Sequence, residues 1–130
     1  MKFKVIKFNK YTDPTGCLIP FYRKQSLKNF KIFRFFFLYG NFKSVRANHA
    51  HKKCNQIYIP VAGKILVEIT NKKNNTKKIL LGDNNKFIII PKMTWTKIIF
   101  LEKKSILLVL CDYKYDRNEY IENKKNFLKI

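Results

Sequence analysis

The sequence has few of the residues that build disulfide frameworks, metal clusters or membrane spans. Its three cysteines, Cys17, Cys54 and Cys111, are odd in number and widely spaced, which argues against a disulfide framework or a zinc cluster. No run of about 18 apolar residues exists, so the sequence predicts no membrane-spanning segment. The N-terminal residues alternate lysine with apolar side chains, and no apolar signal core follows them. We therefore expect a cytoplasmic protein without a membrane partner.

Acidic residues are also scarce, with 8 Asp and Glu against 28 Lys and Arg and a net charge of +20. Such a charge is typical of nucleic-acid-binding proteins. However, lysine outnumbers arginine 24 to 4, and the lysines are spread along the whole chain. A phosphate-binding surface favours arginine, because its planar fork matches phosphate geometry. We therefore expect no nucleic-acid partner, and keep a basic nucleic-acid-binding module as an alternative.

The 130 residues are enough for one domain, predicted to span residues 1–130, with a small core that favours oligomerisation. Short, evenly spaced segments of strand character indicate a β-sandwich or barrel. Tyr11-Thr12-Asp13-Pro14-Thr15-Gly16 predicts a turn, and only the tail is predicted to be helical, with Asp116 as the N-cap of a helix over 117–123. The sequence thus predicts an all-β domain with a short C-terminal helix. The predicted strands are 3–8, 18–21, 32–39, 46–51, 55–61, 64–70, 76–81, 86–90, 96–101 and 105–111.

One predicted strand, residues 32–39, is apolar on both faces. Alternation places Phe33, Phe35, Phe37 and Tyr39 on one face and Ile32, Phe36 and Leu38 on the other. A strand of this kind must be covered on both faces. We expect one face to join the core and the other to join a second subunit, so that the protein is a homodimer. The alternative is that a single chain covers both faces.

The only two histidines, His49 and His51, are two residues apart in a predicted strand. Residues at this spacing point to the same face of a sheet, here predicted to be an inner cavity. Three interpretations are open: polar residues on a wet face, a pair of metal ligands, or an acid–base pair that titrates near neutral pH.

The residues that follow the pair argue against a metal. The spacing is similar to that of metal-binding cupins, with Gly63 and Gly82 at the expected glycines. Gln56 stands where those proteins carry a glutamate ligand, and Thr96 stands where they carry a third histidine. Two imidazoles with two neutral, weakly coordinating groups form a poor site for a divalent ion. We therefore predict no metal and no other cofactor.

The histidine block resembles the dTDP-sugar 3,4-ketoisomerases. It reads Arg46-Ala47-Asn48-His49-Ala50-His51-Lys52-Lys53 and is followed by Asn55-Gln56; similar blocks are found at 13–18, 111–116 and 119–121. The resemblance implies a cupin or jelly-roll β-barrel. It also implies conversion of dTDP-4-keto-6-deoxyglucose to a dTDP-3-keto-6-deoxyhexose through an enediol. Such products lead to 3-amino-deoxysugars of surface glycans such as lipopolysaccharide.

The resemblance also implies roles for individual residues. His51 is the expected carbon base, and His49 is expected to handle oxygen protons. Arg46 stabilises the enediolate or holds a phosphate, although strict alternation turns it away from the histidines unless a bulge intervenes. Further substrate contacts are predicted for Gln56, Tyr39 and Trp95. The alternatives are a hydrogen bond from Gln56 to a histidine nitrogen and packing of Trp95 in the core. A 3,5-epimerase-like enzyme and a non-catalytic sugar-binding module are the alternatives.

Overall fold

The computed structural model describes residues 2–22, 27–82 and 85–130. Two five-stranded antiparallel sheets dominate it, with strand orders β1-β9-β6-β11-β4 (sheet one) and β12-β5-β10-β7-β8 (sheet two). β2 and β3 form a separate hairpin. No helix in these ranges is long and apolar enough to cross a membrane. The elements are β1 Lys4–Lys7, β2 Tyr11–Asp13, β3 Gly16–Leu18, β4 Arg34–Gly40, β5 Val45–His51, β6 Gln56–Ala62, β7 Ile65–Thr70, β8 Thr76–Leu81, β9 Lys86–Ile90, β10 Trp95–Phe100, β11 Ser105–Cys111, β12 Tyr120–Ile121 and α1 Lys124–Lys129.

The main hydrophobic core lies between the two sheets. Sheet one contributes side chains such as Leu107 and Val109, and sheet two contributes Val67, Ile98 and Phe100, all of them at most 1% exposed. Every second residue of these strands points inward, which follows from the two-residue period of a β-strand. The predicted all-β fold with a short C-terminal helix is confirmed.

The N-terminal region differs from the prediction in detail. Residues 11–18 form a complete hairpin rather than a turn followed by a strand at 18–21. Only the central part of the predicted turn lies at its tip, where the Asp13 carboxylate accepts hydrogen bonds from the backbone and hydroxyl of Thr15. Thr12 pairs with Cys17 across the hairpin, so residues 11–13, predicted as part of the turn, are a strand.

The C-terminal helix was predicted too early in the chain. Asp116 is an N-cap, as expected, but only of a 3-10 turn over Arg117–Glu119. Residues 120 and 121 form β12, which pairs with His51 and Ala50 of β5, and the α-helix starts only after its own N-cap, Asn123. Pairing with the sheet keeps residues 120 and 121 extended, and local propensity cannot reveal such pairing. The pairing also brings residues 119 and 120 to the histidines.

Candidate active site

A cavity of about 170 Å³ is lined by residues of both sheets. Its polar lining comes from five side chains: Arg46, His49, Gln56, Tyr58 and Tyr120. The apolar remainder includes Phe36 and Leu38, which are the inward-facing residues of β4. A concave, mostly apolar site with a few converging polar groups is typical of a small-molecule binding site.

A β-bulge turns Arg46 towards this cavity. Thr96 of β10 pairs with His49 and Lys97 pairs with Ala47, so Asn48 is the additional residue on β5. Ala47 and Asn48 both have left-handed backbones, with φ of 62° and 61°. The extra residue shifts the alternation, and Arg46 consequently lines the same cavity as His49. The sequence predicted that Arg46 could join the histidines only if a bulge intervened, and this bulge is present.

His51 is held by a buried carboxylate. Its Nδ1 atom lies 2.5 Å from Oε2 of Glu119, and the two side chains are only 5% and 2% exposed. The other oxygen of Glu119 accepts the backbone N–H groups of Lys53 and Cys54, at 3.1 Å each. Nε2 of His51 is buried and has no hydrogen-bond partner among the described residues. This arrangement favours the tautomer with the proton on Nδ1 and a bare, basic Nε2.

The two imidazoles have different electrostatic surroundings, which contribute differently to their pKa values. Burial lowers the pKa of His51 below its usual value of 6.5, while the hydrogen bond to Glu119 acts in the opposite direction. Burial, together with the neighbouring His51, lowers the pKa of His49 further, to about 4. Burial alone would raise the pKa of Glu119, but its bonds to His51 and the two amides outweigh this and lower it. At neutral pH the site therefore holds two neutral imidazoles and one carboxylate.

The two histidines occupy different positions relative to the cavity. His49 lines it, whereas His51 lies beside His49 with a ring-centroid distance of 4.8 Å and is not itself part of the lining. Tyr120 contacts both rings, with its centroid 5.0 Å from that of His49 and 4.4 Å from that of His51. A histidine pair, a carboxylate and a phenol thus meet at one end of the cavity.

The residues at the two cupin ligand positions hydrogen-bond to a tyrosine. The hydroxyl of Tyr58 lies 3.4 Å from the side-chain oxygen of Gln56 and 3.3 Å from the hydroxyl of Thr96. The amide nitrogen of Gln56 donates to the sulfur of Cys111 at 3.4 Å. Within residues 2–22, 27–82 and 85–130, no group of three or more His, Cys, Asp or Glu side chains is placed to hold a metal. A metal-independent reaction stays a prediction.

Two residues predicted to contact substrate lie elsewhere. Tyr39 is on the outer face of β4 and is 72% exposed, on the opposite side of the strand from Phe36 and Leu38. Trp95 is 3% exposed and packs against Phe127 in a second hydrophobic cluster. Its indole N–H donates to the side-chain oxygen of Asn48 at 3.3 Å, so it contacts the bulge rather than the cavity.

Sequence reasoning did not identify Glu119 and Tyr120 as site residues. Both lie in the 119–121 block that carried part of the resemblance, but no role had been assigned to them. They reach the site through the pairing of Tyr120 with His51, a contact between residues 69 positions apart. A glutamate followed by a tyrosine in a predicted helix does not indicate that either residue pairs with the histidine strand.

Comparisons with known proteins agree with this geometry. The family model described as "FdtA: WxcM-like, C-terminal" matches residues 1–130. A TDP-4-oxo-6-deoxy-alpha-D-glucose-3,4-oxoisomerase of Aneurinibacillus thermoaerophilus is 27% identical over 99% of this chain and 92% of its own. The resemblance to sugar 3,4-ketoisomerases that the sequence indicated is confirmed.

Solved structures give the same result. A 3,4-ketoisomerase from Helicobacter canadensis superposes with a TM-score of 0.85 and 31% identity, covering 99% of this chain and 96% of that one. QdtA, a sugar 3,4-ketoisomerase from Thermoanaerobacterium thermosaccharolyticum solved with TDP, gives a TM-score of 0.86 at 26% identity and covers 98% of this chain and 93% of its own. Because the family model matches the whole of residues 1–130, this chain belongs to the FdtA family of WxcM-like C-terminal domains.

Proposed function

We propose that this protein is a dTDP-sugar 3,4-ketoisomerase that converts dTDP-4-keto-6-deoxyglucose to a dTDP-3-keto-6-deoxyhexose by acid–base catalysis. The observation that carries the proposal is the His51–Glu119 pair. It leaves the buried Nε2 atom of His51 without a hydrogen-bond partner among the described residues, in a ring that packs against the cavity residues His49 and Tyr120. The named relatives that cover almost the whole chain support the same activity.

His51 is the base that removes the proton from C3 of the sugar. This proton is acidified by the ketone at C4, and the electron pair left behind forms the enediolate. Glu119 makes His51 a better proton acceptor, because a carboxylate at Nδ1 stabilises the imidazolium that forms when Nε2 gains a proton. His49, with a pKa of about 4, is a weak base. The same His51 then returns the proton to C4.

The other polar groups of the cavity bind the substrate. His49 lines the cavity in its neutral form and accepts a hydrogen bond from a sugar hydroxyl. Arg46, directed inward by the bulge, stabilises the negative charge of the enediolate or of the diphosphate. Gln56 contacts the sugar from the opposite sheet.

Incubation with dTDP-4-keto-6-deoxyglucose in heavy water, followed by proton NMR, tests the activity. The ketoisomerase incorporates deuterium at C3 or C4 and forms the 3-keto sugar. Exchange at C3 and C5 would instead indicate an epimerase, and no exchange would indicate a binding module.

The matched variant for this assay is His51→Asn, which removes the base and keeps the approximate shape of the side chain. We expect it to lower turnover by about 10²–10⁴-fold, the usual contribution of a general base. Affinity for dTDP should remain close to that of the wild type. A variant that kept more than about a tenth of the activity would show that His51 is not the base.

We also propose that the protein is a homodimer formed through the outer face of β4. Phe33, Phe35, Phe37 and Tyr39 are between 46% and 72% exposed on this face. β4 is also an edge strand of sheet one, so one side of its backbone is open to pairing. Ile32, predicted to share a face with Phe36 and Leu38, is exposed as well, because it precedes the strand. An exposed aromatic row of this length on an edge strand is typical of a subunit interface.

Light scattering at micromolar concentration tests the dimer. Wild type should have twice the formula mass, and Phe35→Glu combined with Phe37→Glu should dissociate it. Leu80→Glu, an exposed apolar residue on β8 of the other sheet, is the control and should leave the mass unchanged. A monomeric wild type that does not associate at higher concentration would contradict the dimer.

We place this activity in the cytoplasm. The structure contains three free thiols, and Cys17 is exposed. Exposed free thiols are typical of reducing compartments. Fractionation of cells that express a tagged full-length chain tests this location, and recovery of the protein with the membrane fraction would contradict it.

A further inference from the structure

The proposed reaction needs a proton donor for the sugar oxygens, and neither histidine is suited to that role. As C3 loses its proton, the ketone oxygen O4 becomes an enolate oxygen and must gain one. His51 carries the carbon-bound proton at that moment. His49 has a pKa of about 4, so at neutral pH it is a neutral imidazole, and its remaining N–H is a far weaker acid than a phenol. A better acid is required in the cavity.

Among the polar cavity residues, Tyr120 and Tyr58 are the two that carry a hydroxyl. Tyr58 is only 2% exposed, and its hydroxyl hydrogen-bonds to the side chains of Gln56 and Thr96. Tyr120 instead packs directly against the rings of both His49 and His51. Of the two phenols, Tyr120 is the one beside the predicted base.

A guanidinium lies next to the hydroxyl of Tyr120. Arg34, the first residue of β4, interacts with this hydroxyl and opposes the rise in the pKa of Tyr120 that burial causes. The Arg34 side chain is fixed by a hydrogen bond from its Nε–H to the carbonyl of Tyr113 at 3.3 Å and by the ring of Phe36 at 5.3 Å. Its Nη2 atom is buried and has no hydrogen-bond partner among the described residues. A fixed cation at this position stabilises a phenolate.

We infer that Tyr120 is a further catalytic residue, which moves the oxygen-bound proton between O3 and O4 with Arg34 as the counter-charge of its phenolate. This inference rests on the proposed function. It assigns the oxygen chemistry to Tyr120 rather than to His49, which keeps the role of hydrogen-bond acceptor.

The steps balance without an oxidant or a cofactor. The C3–H bond breaks, its proton goes to Nε2 of His51, and its electron pair forms the C3–C4 double bond. The π pair of the ketone moves to O4, which takes the hydroxyl proton of Tyr120 and leaves a phenolate. The phenolate then takes the proton from O3, the O–H pair forms the new carbonyl at C3, and C4 takes the proton from His51. Both side chains return to their starting state.

The test is Tyr120→Phe, which removes only the hydroxyl, in the heavy-water assay with dTDP-4-keto-6-deoxyglucose. We expect formation of the 3-keto sugar to fall by about 10²–10⁴-fold. Exchange of deuterium into C3 of the recovered substrate should fall by a smaller factor, because His51 is intact and Arg46 can still stabilise the enolate charge. Formation of the 3-keto sugar needs Tyr120 twice, to protonate O4 and to deprotonate O3. The ratio of C3 exchange to product formation should therefore rise by more than about tenfold.

Tyr115→Phe is the matched control, since Tyr115 is exposed and its ring lies 5.9 Å from that of Tyr120. It should behave as the wild type. Arg34→Lys is a second variant, which should raise the same ratio in the same direction as Tyr120→Phe by weakening the counter-charge. Near-ultraviolet circular dichroism and dTDP affinity confirm that each variant is folded.

Two results would overturn the inference: product formation within about tenfold of wild type, or exchange and product formation that fall by the same factor. The second result is what a purely structural role predicts. If the wild type itself shows neither exchange nor product, the proposed function fails and the inference fails with it, so the two failures are distinguishable.

Discussion

Replacement of Glu119 by glutamine is predicted to inactivate His51 through its tautomer rather than through the fold. One oxygen of Glu119 accepts the backbone N–H groups of Lys53 and Cys54, and the other faces Nδ1 of His51. Glutamine has only one acceptor atom. Placing its oxygen against the two backbone donors directs its NH₂ group to Nδ1. Nδ1 must then accept a hydrogen bond, and the imidazole proton moves to Nε2, where no lone pair remains to receive a proton from C3.

The size of the effect follows from this geometry. The opposite amide orientation preserves the active tautomer, but it turns an NH₂ group towards two buried N–H donors, and a buried unpaired polar group costs about 1–3 kcal/mol. The inactive arrangement therefore dominates, and kcat should fall by about 10²–10⁴-fold, the full contribution of a general base. This corresponds to about 3–5 kcal/mol of transition-state stabilisation.

Steady-state kinetics measure the loss, and nitrogen-15 NMR of labelled histidine reports which ring nitrogen of His51 carries the proton. Glu122→Gln, an exposed substitution of the same kind three residues away, serves as the control and should retain full activity. Activity within about tenfold of wild type, or an unchanged His51 tautomer, would refute the reasoning.

Three further predictions concern metal, pH and packing. Exhaustive chelation should leave activity unchanged, because Gln56 and Thr96 occupy the cupin ligand positions; restoration of a lost activity by zinc, iron or manganese would contradict this. Burial and the neighbouring His51 lower the pKa of His49 from 6.5 to about 4, so the unfolded chain binds more protons between these values and stability should fall as the pH drops through this window and level off above it. Thermal melts should show a shallower pH dependence of Tm for His49→Asn, and an equal slope would contradict the assignment. Gly40→Ala places a methyl group in the space of the buried Phe100 ring and should cost about 1–3 kcal/mol in the free energy of unfolding; an unchanged Tm would show that the ring moves aside.

Most of the sheet framework was predictable because its strands are short and evenly separated by turn residues. The strands predicted at 76–81, 86–90 and 105–111 have the same bounds in the structure, since polar turn residues precede each of them. The C-terminal region was not predictable in this way. Residues 117–123 contain helix-compatible side chains and a good N-cap, but backbone pairing with β5 keeps residues 120 and 121 extended. Here pairing with a strand distant in the sequence overrides the local helix propensity. The residues around position 120 do not indicate that β5 is their partner.

The same distinction between local pattern and long-range pairing applies to the residues of the candidate site. His49 and His51 could be recognised because two imidazoles two residues apart on a strand share one face. Glu119 and Tyr120 could not, because their proximity to the histidines depends on the long-range pairing that was missed. Tyr39 was assigned by residue type and resemblance alone, and its outward position on β4 follows from packing that the sequence does not state. For Trp95 both substrate contact and core packing were open, and its burial against Phe127 agrees with core packing.

The bulge on β5 shows how backbone strain and the site depend on each other. A left-handed conformation costs an ordinary L-residue about 1–2 kcal/mol, and Ala47 lacks the side-chain amide that makes asparagine tolerant of it. Strained positions persist when their surroundings hold them. Here the pairing of β5 with β10 continues on both sides of the bulge, and the buried Trp95 donates its indole N–H to Asn48. Without the additional residue, Arg46 would point away from His49 and the cavity would lose its cation. Trp95 therefore acts on the site through the backbone, by stabilising the bulge that turns Arg46 towards the cavity.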